Sequence, residues 1–138
     1  MALDCFLGKW REETKDGFDD LAEAIGLPGD KKEFYKSAKT EISYTKDGEL
    51  WTINVGYTGV PNGRVFKFKL GEPYDSANLD GSPMKSVITA DGSKFLEKHT
   101  GTALNQAQMD IERWVEGDTM ILKCHCKGVT MISHYKRV

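Results

Sequence analysis

The sequence predicts a mainly β fold, an antiparallel up-and-down barrel interrupted once, near its start, by a short helix-turn-helix. Three observations carry that reading. From Thr40 onward, short runs of alternating apolar and polar residues are separated by turn signals such as Asp47-Gly48, Asp91-Gly92 and Gly117-Asp118. Between Gly17 and Ala38 the apolar period lengthens from that of a strand to that of a helix. The segment Met109 to Val138 sorts into three strands whose inward rows agree in register, as a barrel wall requires.

Taken in order, the first strand is Gly8 to Thr14. Phe18, Leu21, Ala22 and Ile25 then form one stripe of a short helix, with Asp19 and Asp20 in its dipole-favoured first turn and Gly26 as its stop. Pro28-Gly29-Asp30 opens a second helix that runs to about Ala38 and carries Lys31, Lys32 and Lys36 around Phe34 and Tyr35. Strands follow at Thr40–Thr45, Leu50–Tyr57, Val65–Phe68, a short edge segment around Tyr74, Met84–Ala90 and Lys94–His99. Thr58 to Gly63 and Asp80 to Pro83 read as loops. With the C-terminal trio the count is about ten strands, and a meander of that length removes its exposed edges by closing into a barrel.

The trio is Met109–Glu116, Thr119–Lys127 and Val129–Arg137. Alternation puts Met109, Ile111, Arg113 and Val115 on one face of the first, opposite a row holding three carboxylates that cannot be buried together. A two-residue turn at Lys127-Gly128 sets Leu122 opposite Ser133 and Met120 opposite Tyr135, and the Gly117-Asp118 turn sets Arg113 opposite Leu122. Arg113, Ser133 and Tyr135 therefore share the inner face, two strand spacings or roughly 10 Å apart. An inward guanidinium requires an anion. It is either an inward Asp or Glu elsewhere in the chain or a ligand. Ile111, Val115, Met120, Leu122 and Met131 line the same face, as cavity walls or as ordinary core.

At 138 residues and a net charge of −2, the chain reads as one domain, residues 1–138, and nothing in the charge balance suggests nucleic acid. The helix-turn-helix lacks the Arg and Asn expected of a DNA-reading helix. Hydrophobic residues make up 39%, low for a filled globule and compatible with a shell around a cavity. Met1 to Leu7 holds no run long enough for a signal peptide or membrane span. Cys5, Cys124 and Cys126 do not make a disulfide framework, so a reducing cytoplasmic setting is expected. Cys124 and Cys126 share one face with His125 on the other, so the three cannot converge on one metal ion and no metal or cofactor is expected.

The element order and these residues resemble the intracellular lipid-binding proteins, the fatty-acid-binding and cellular retinoid-binding family. The likeness rests on Gly8-x-Trp10 followed by Gly17-Phe18-Asp19-Asp20-Leu21, and on Leu70-Gly71, Asp91-Gly92 and Lys127-Gly128-Val129-Thr130, and it runs the length of the chain. It implies a ten-stranded calycin-type barrel capped by the two helices, holding a long-chain fatty acid or similar hydrophobic carboxylate and acting as a monomeric cytoplasmic carrier, not an enzyme. A retinoid-type acid is the second ligand class. A filled interaction module is the alternative without a ligand. On this resemblance Arg113 and Tyr135 align with the family's carboxylate clamp, while Ser133 stands where a second arginine is usual. Phe18, Leu21, Ile25 and Cys124 join the expected lining, and Phe34, Val60 and Pro61 mark the portal. Lys31, Lys32 and Lys36 suggest transient docking on anionic membranes, with a merely solvated helix face as the alternative. On the ligand reading, Arg113→Gln folds at least as stably as the native chain.

Overall fold

The computed structural model describes residues 2–57, 63–77, 83–101 and 108–138. Ten strands form one antiparallel sheet: β1 (Gly8–Asp16), β2 (Thr40–Asp47), β3 (Leu50–Tyr57), β4 (Arg64–Phe68), β5 (Tyr74–Ala77), β6 (Pro83–Asp91), β7 (Lys94–Gly101), β8 (Gln108–Glu116), β9 (Thr119–Cys126) and β10 (Val129–Arg137). Strands next to each other in sequence pair, except β4 and β5, and β1 pairs with β10, so the meander curls into a nearly closed barrel with β4 and β5 at its two edges. The helices are α1 (Phe18–Ala24) and α2 (Gly29–Ser37). The expected strands are all present, several extended by a residue or two. Lys127 is the exception: at φ 50, followed by Gly128 at φ 78, it belongs to the turn and not to β9. Two successive positive φ values match the strand twist in a two-residue hairpin. The trio's register is the expected one, with Leu122 opposite Ser133 and Arg113, and Met120 opposite Tyr135 and Val115.

β1 must pair on both sides while bending across the barrel mouth. It pairs with β2 from Gly8 to Arg11 and with β10 from Trp10 to Asp16, with a register shift between Glu12 and Thr14. That bulge changes the parity of the strand. Trp10 and Glu12 point inward before it and Lys15 after it. At Gly17, with φ 88, the chain turns into α1, and a Cβ there would lie 2.6 Å from the Thr130 carbonyl oxygen. α1 ends as a Schellman motif: Leu27 N–H donates to Ala22 O at 2.9 Å and Gly26 N–H to Glu23 O at 3.1 Å, with Gly26 at φ 69.

One part of the interior is packed solid. Phe6, Tyr44, Trp51, Phe68 and Phe95 form an aromatic cluster, with Phe6 stacked on Phe95 at 4.2 Å and Trp51 edge-on to Phe95 at 5.3 Å. Each such ring contributes on the order of 2–3 kcal/mol by leaving water. The plug that delivers Phe6 is a 3-10 helix, Ala2–Phe6, that the sequence pattern did not announce. Trp10 Nε1 donates to Phe6 O at 3.0 Å, and Arg137 donates to Leu7 O and Cys5 O at 2.8 and 2.9 Å while its guanidinium lies 4.1 Å over the Trp10 ring. Among the described residues no helix is long and apolar enough to cross a membrane.

Candidate functional site

The rest of the interior holds a cavity of about 270 Å³. Phe18 and Leu21 of α1, its C-cap Ile25, and Tyr35 of α2 form its roof, and Ile111, Leu122 and Met131 form part of its wall with Met84 and Met109. Ser133 and Tyr135 face it, as the trio's register requires. Val115, Met120 and Cys124, expected as walls, do not line it. Met120 and Cys124 belong to the buried core, and Val115 packs against that core. These residues share the strand face of the lining, and Cys124 even lies level with the wall residues Ile111 and Met131, and Met120 with Tyr135, so it is packing against core neighbours that keeps them out of the open space. Val60 and Pro61 lie outside the described residues. Phe34 is 41% exposed, with its ring edge-on to Tyr57 at 5.6 Å, beside the cavity that Tyr57 and Tyr35 line.

Arg113 does not line this cavity; it has a partner in the chain. Its Nε donates to Glu97 Oε2 at 2.8 Å and its Nη2 to Glu97 Oε1 at 3.4 Å, with both residues buried. The inward-carboxylate alternative is therefore the one present. Glu97 Oε1 also accepts from His99 Nε2 at 2.9 Å, and His99 Nδ1 lies 2.6 Å from Ser86 Oγ, itself 2.6 Å from Ser76 Oγ. A carboxylate can only accept, so His99 Nε2 is the donor to Glu97. Burial pushes the Glu97 carboxyl up, but the Arg113 guanidinium and the His99 hydrogen bond outweigh it and hold the group at about 2. Burial alone would lower the Arg113 pKa; the Glu97 charge raises it instead. Tyr135 lies between the charges of Glu12 and Arg113, and burial pushes its hydroxyl up.

A second inward pair sits at the cavity edge. Lys15 Nζ lies 2.9 Å from Glu12 Oε1 and donates to the carbonyls of Tyr35 and Ala38 at 2.5 and 2.6 Å. Those are C-terminal carbonyls of α2, so the lysine caps that helix and ties it to the barrel. Three donors meet three acceptors. Sequence reasoning missed both carboxylates, although a signal existed for each. Phe95, Glu97 and His99 are one row of β7, and Trp10 and Glu12 are one row of β1. Lys15 was hidden, because the bulge reverses parity after Glu12.

Ser133 Oγ completes the site. The residue is fully buried, faces the cavity, and its hydroxyl has no hydrogen-bond partner among the described residues. A buried hydroxyl without a partner costs about 1–3 kcal/mol. On the outer face of the helices, Asp19 pairs with Lys36 at 3.2 Å and Lys32 at 3.9 Å; the Lys31 side chain lies outside the described part. Cys124 and Cys126 are both unbridged.

Comparison with known proteins places this geometry. No family model matches the chain. A 14 kDa fatty acid-binding protein of Schistosoma mansoni is 30% identical over 142 aligned positions, covering 99% of each chain. Fatty acid-binding protein 5 of Pygoscelis papua is 26% identical with the same coverage. Among solved structures, the Schistosoma mansoni fatty acid binding protein in complex with arachidonic acid superposes with a TM-score of 0.89 at 27% identity, covering 100% of this chain and 99% of that one. Human cRBP IV shares the fold, with a TM-score of 0.79 at 23% identity, covering 96% of this chain and 97% of that one. Proteins of this kind bind lipids and are not enzymes. With identity at that level from end to end, on a barrel of the same topology, the chain belongs to the fatty-acid-binding protein family of intracellular lipid-binding proteins.

Proposed function

We propose that this protein is a non-enzymatic carrier that holds one long-chain acyl lipid, fatty acids included, in the barrel cavity and moves it through the cytoplasm as a single-domain monomer. The observation that carries the reading is the cavity inside the barrel, open on one side, with an apolar wall on the strands and an apolar roof from α1 and its C-cap. The names of the relatives, one of them solved with arachidonic acid, favour fatty acids over retinoid-type acids. Burying ~16 methylenes is worth on the order of 12 kcal/mol gross at ~0.8 kcal/mol each, before the cost of association, so the tail supplies the affinity. Ser133 and Tyr135 are the side chains proposed to meet the head. Arg113 acts from behind them as part of the interior charge balance.

The test is delipidation, then mass spectrometry of the extract and uptake of radiolabelled palmitate. A co-extracted lipid or stoichiometric uptake supports the carrier; an empty extract without uptake of acid or alcohol favours a filled interaction module. For delivery, Phe34 and the lysines of α2 are proposed to touch anionic membranes, with Asp19 offsetting Lys32 and Lys36. Transfer of a fluorescent fatty acid to anionic vesicles at low salt should slow when Lys31, Lys32 and Lys36 become Glu. Equal rates would remove the membrane contact.

A further inference from the structure

Among the described residues, two buried carboxylates that face the interior are each paired with a cation. Arg113 is matched by Glu97 and Lys15 by Glu12, each pair in direct contact and each carboxylate buried. The lysine's three donors are spent on Glu12 and on two α2 carbonyls. Glu97 is held by two atoms of the guanidinium and by His99. A lipid carboxylate at the Ser133–Tyr135 wall would be a third anion beside these two cations, each of which already has a carboxylate partner. Removing a charge from water without a partner is unfavourable by several kcal/mol. On the cavity wall, among the described residues, the Ser133 hydroxyl lacks a partner, and it can donate one hydrogen bond and accept others.

We propose that Glu97 is a built-in counter-ion occupying the anion site of Arg113, so that the cavity ranks long-chain lipids with an uncharged oxygen head, above all a primary hydroxyl, over the matching carboxylate. Ser133 Oγ on the cavity wall is the hydrogen-bonding partner of that head, with the Tyr135 hydroxyl on the same inner face two residues along β10. This rests on the lipid-carrier reading and refines which lipids the cavity selects. A hydroxyl head leaves both internal ion pairs intact and satisfies the buried serine. A carboxylate must break the Arg113–Glu97 contact or lie uncompensated beside it.

The experiment is equilibrium partition of radiolabelled hexadecan-1-ol and palmitate into the delipidated protein at pH 7.5. The native chain should hold the alcohol tighter by about tenfold or more. Ser133→Ala should weaken the alcohol roughly threefold to tenfold and leave the acid unchanged. Glu97→Gln, which frees the guanidinium, should tighten the acid at least tenfold and reverse the ranking. If that variant does not fold, the double change Glu97→Gln with Arg113→Gln removes both charges together and should keep the native preference for the alcohol. Tighter binding of palmitate than of the alcohol by the native protein overturns the inference and leaves the carrier standing. So does loss of acid affinity in the double variant. If neither ligand partitions into the protein, the carrier reading falls and this one with it.

Discussion

Replacing Arg113 by Gln tests the buried pair most directly. On the ligand reading of the sequence the change is harmless, because it removes a charge that lacks a partner. With Glu97 at 2.8 Å the outcome reverses, since the substitution leaves a buried carboxylate without its cation, held by the His99 Nε2–H hydrogen bond. Breaking a buried pair from one side costs about 3–5 kcal/mol. The titration of Glu97 gives a second measure. Its carboxyl sits at about 2 against an ordinary 4.5, and at ~1.4 kcal/mol per pH unit this amounts to about 3 kcal/mol. A depressed folded-state pKa contributes its full stability above the unfolded value, and that stability is lost as the pH falls from about 4.5 toward about 2. At pH 7 Arg113→Gln should therefore lower Tm by roughly 10 °C, taking ~2.1 cal/mol/K per residue for the unfolding entropy. At pH 3 the Glu97 contribution in the native chain shrinks to roughly 1 kcal/mol, while in the variant Glu97 is protonated and no longer a buried charge. The gap between the two proteins should close accordingly. Thermal unfolding of delipidated protein, followed by tryptophan fluorescence at both pH values, reads this out. An unchanged Tm at pH 7 would show that the pair adds nothing. An equal deficit at pH 7 and pH 3 would show lost packing instead of lost charge.

Lys15→Met should cost about 2–4 kcal/mol, because it uncaps two carbonyls of α2 and leaves Glu12 buried without its cation. Amide exchange in α2 should quicken more than in β9, and uniform quickening would mean global destabilisation alone. Gly17→Ala should cost more than ~1–2 kcal/mol, since φ 88 is left-handed and the new Cβ would press on the Thr130 carbonyl; a loss confined to a few tenths would refute that contact. Cys124, whose thiol burial pushes up to about 12, should resist iodoacetamide in the native protein, and it should form no bridge to Cys126 under oxidation. Peptide mapping by mass spectrometry checks both, and rapid labelling of Cys124 or a bridged peptide would count against the β9 assignment.

What the sequence alone determined about this protein is local in origin. The meander, the two helices, the Gly26 stop and the register of β8, β9 and β10 follow from periodicity and turn chemistry, which act between near neighbours. The inward placement of Arg113, Ser133 and Tyr135 follows from alternation along single strands. The likeness to a known family came from motifs spread along the whole chain. What tertiary structure decided is which inward side chains meet. Alternation assigns a face but not the packing on it, so it could not separate the cavity walls Ile111, Leu122 and Met131 from the packed Met120 and Cys124, although Cys124 lies directly opposite Ile111 and Met131. Nor could it say that the carboxylate beside Arg113 belongs to Glu97, because that choice depends on the β7–β8 register, which no turn signal in the sequence sets. The bulge after Glu12 turned Lys15 inward against the simple period, and the 3-10 plug closed one end with a segment too short to show a pattern. Burial then made these contacts matter: away from water an unmatched charge is too costly to keep, so Glu97 and Glu12 each hold a cation, while the Ser133 hydroxyl faces the cavity without a partner among the described residues.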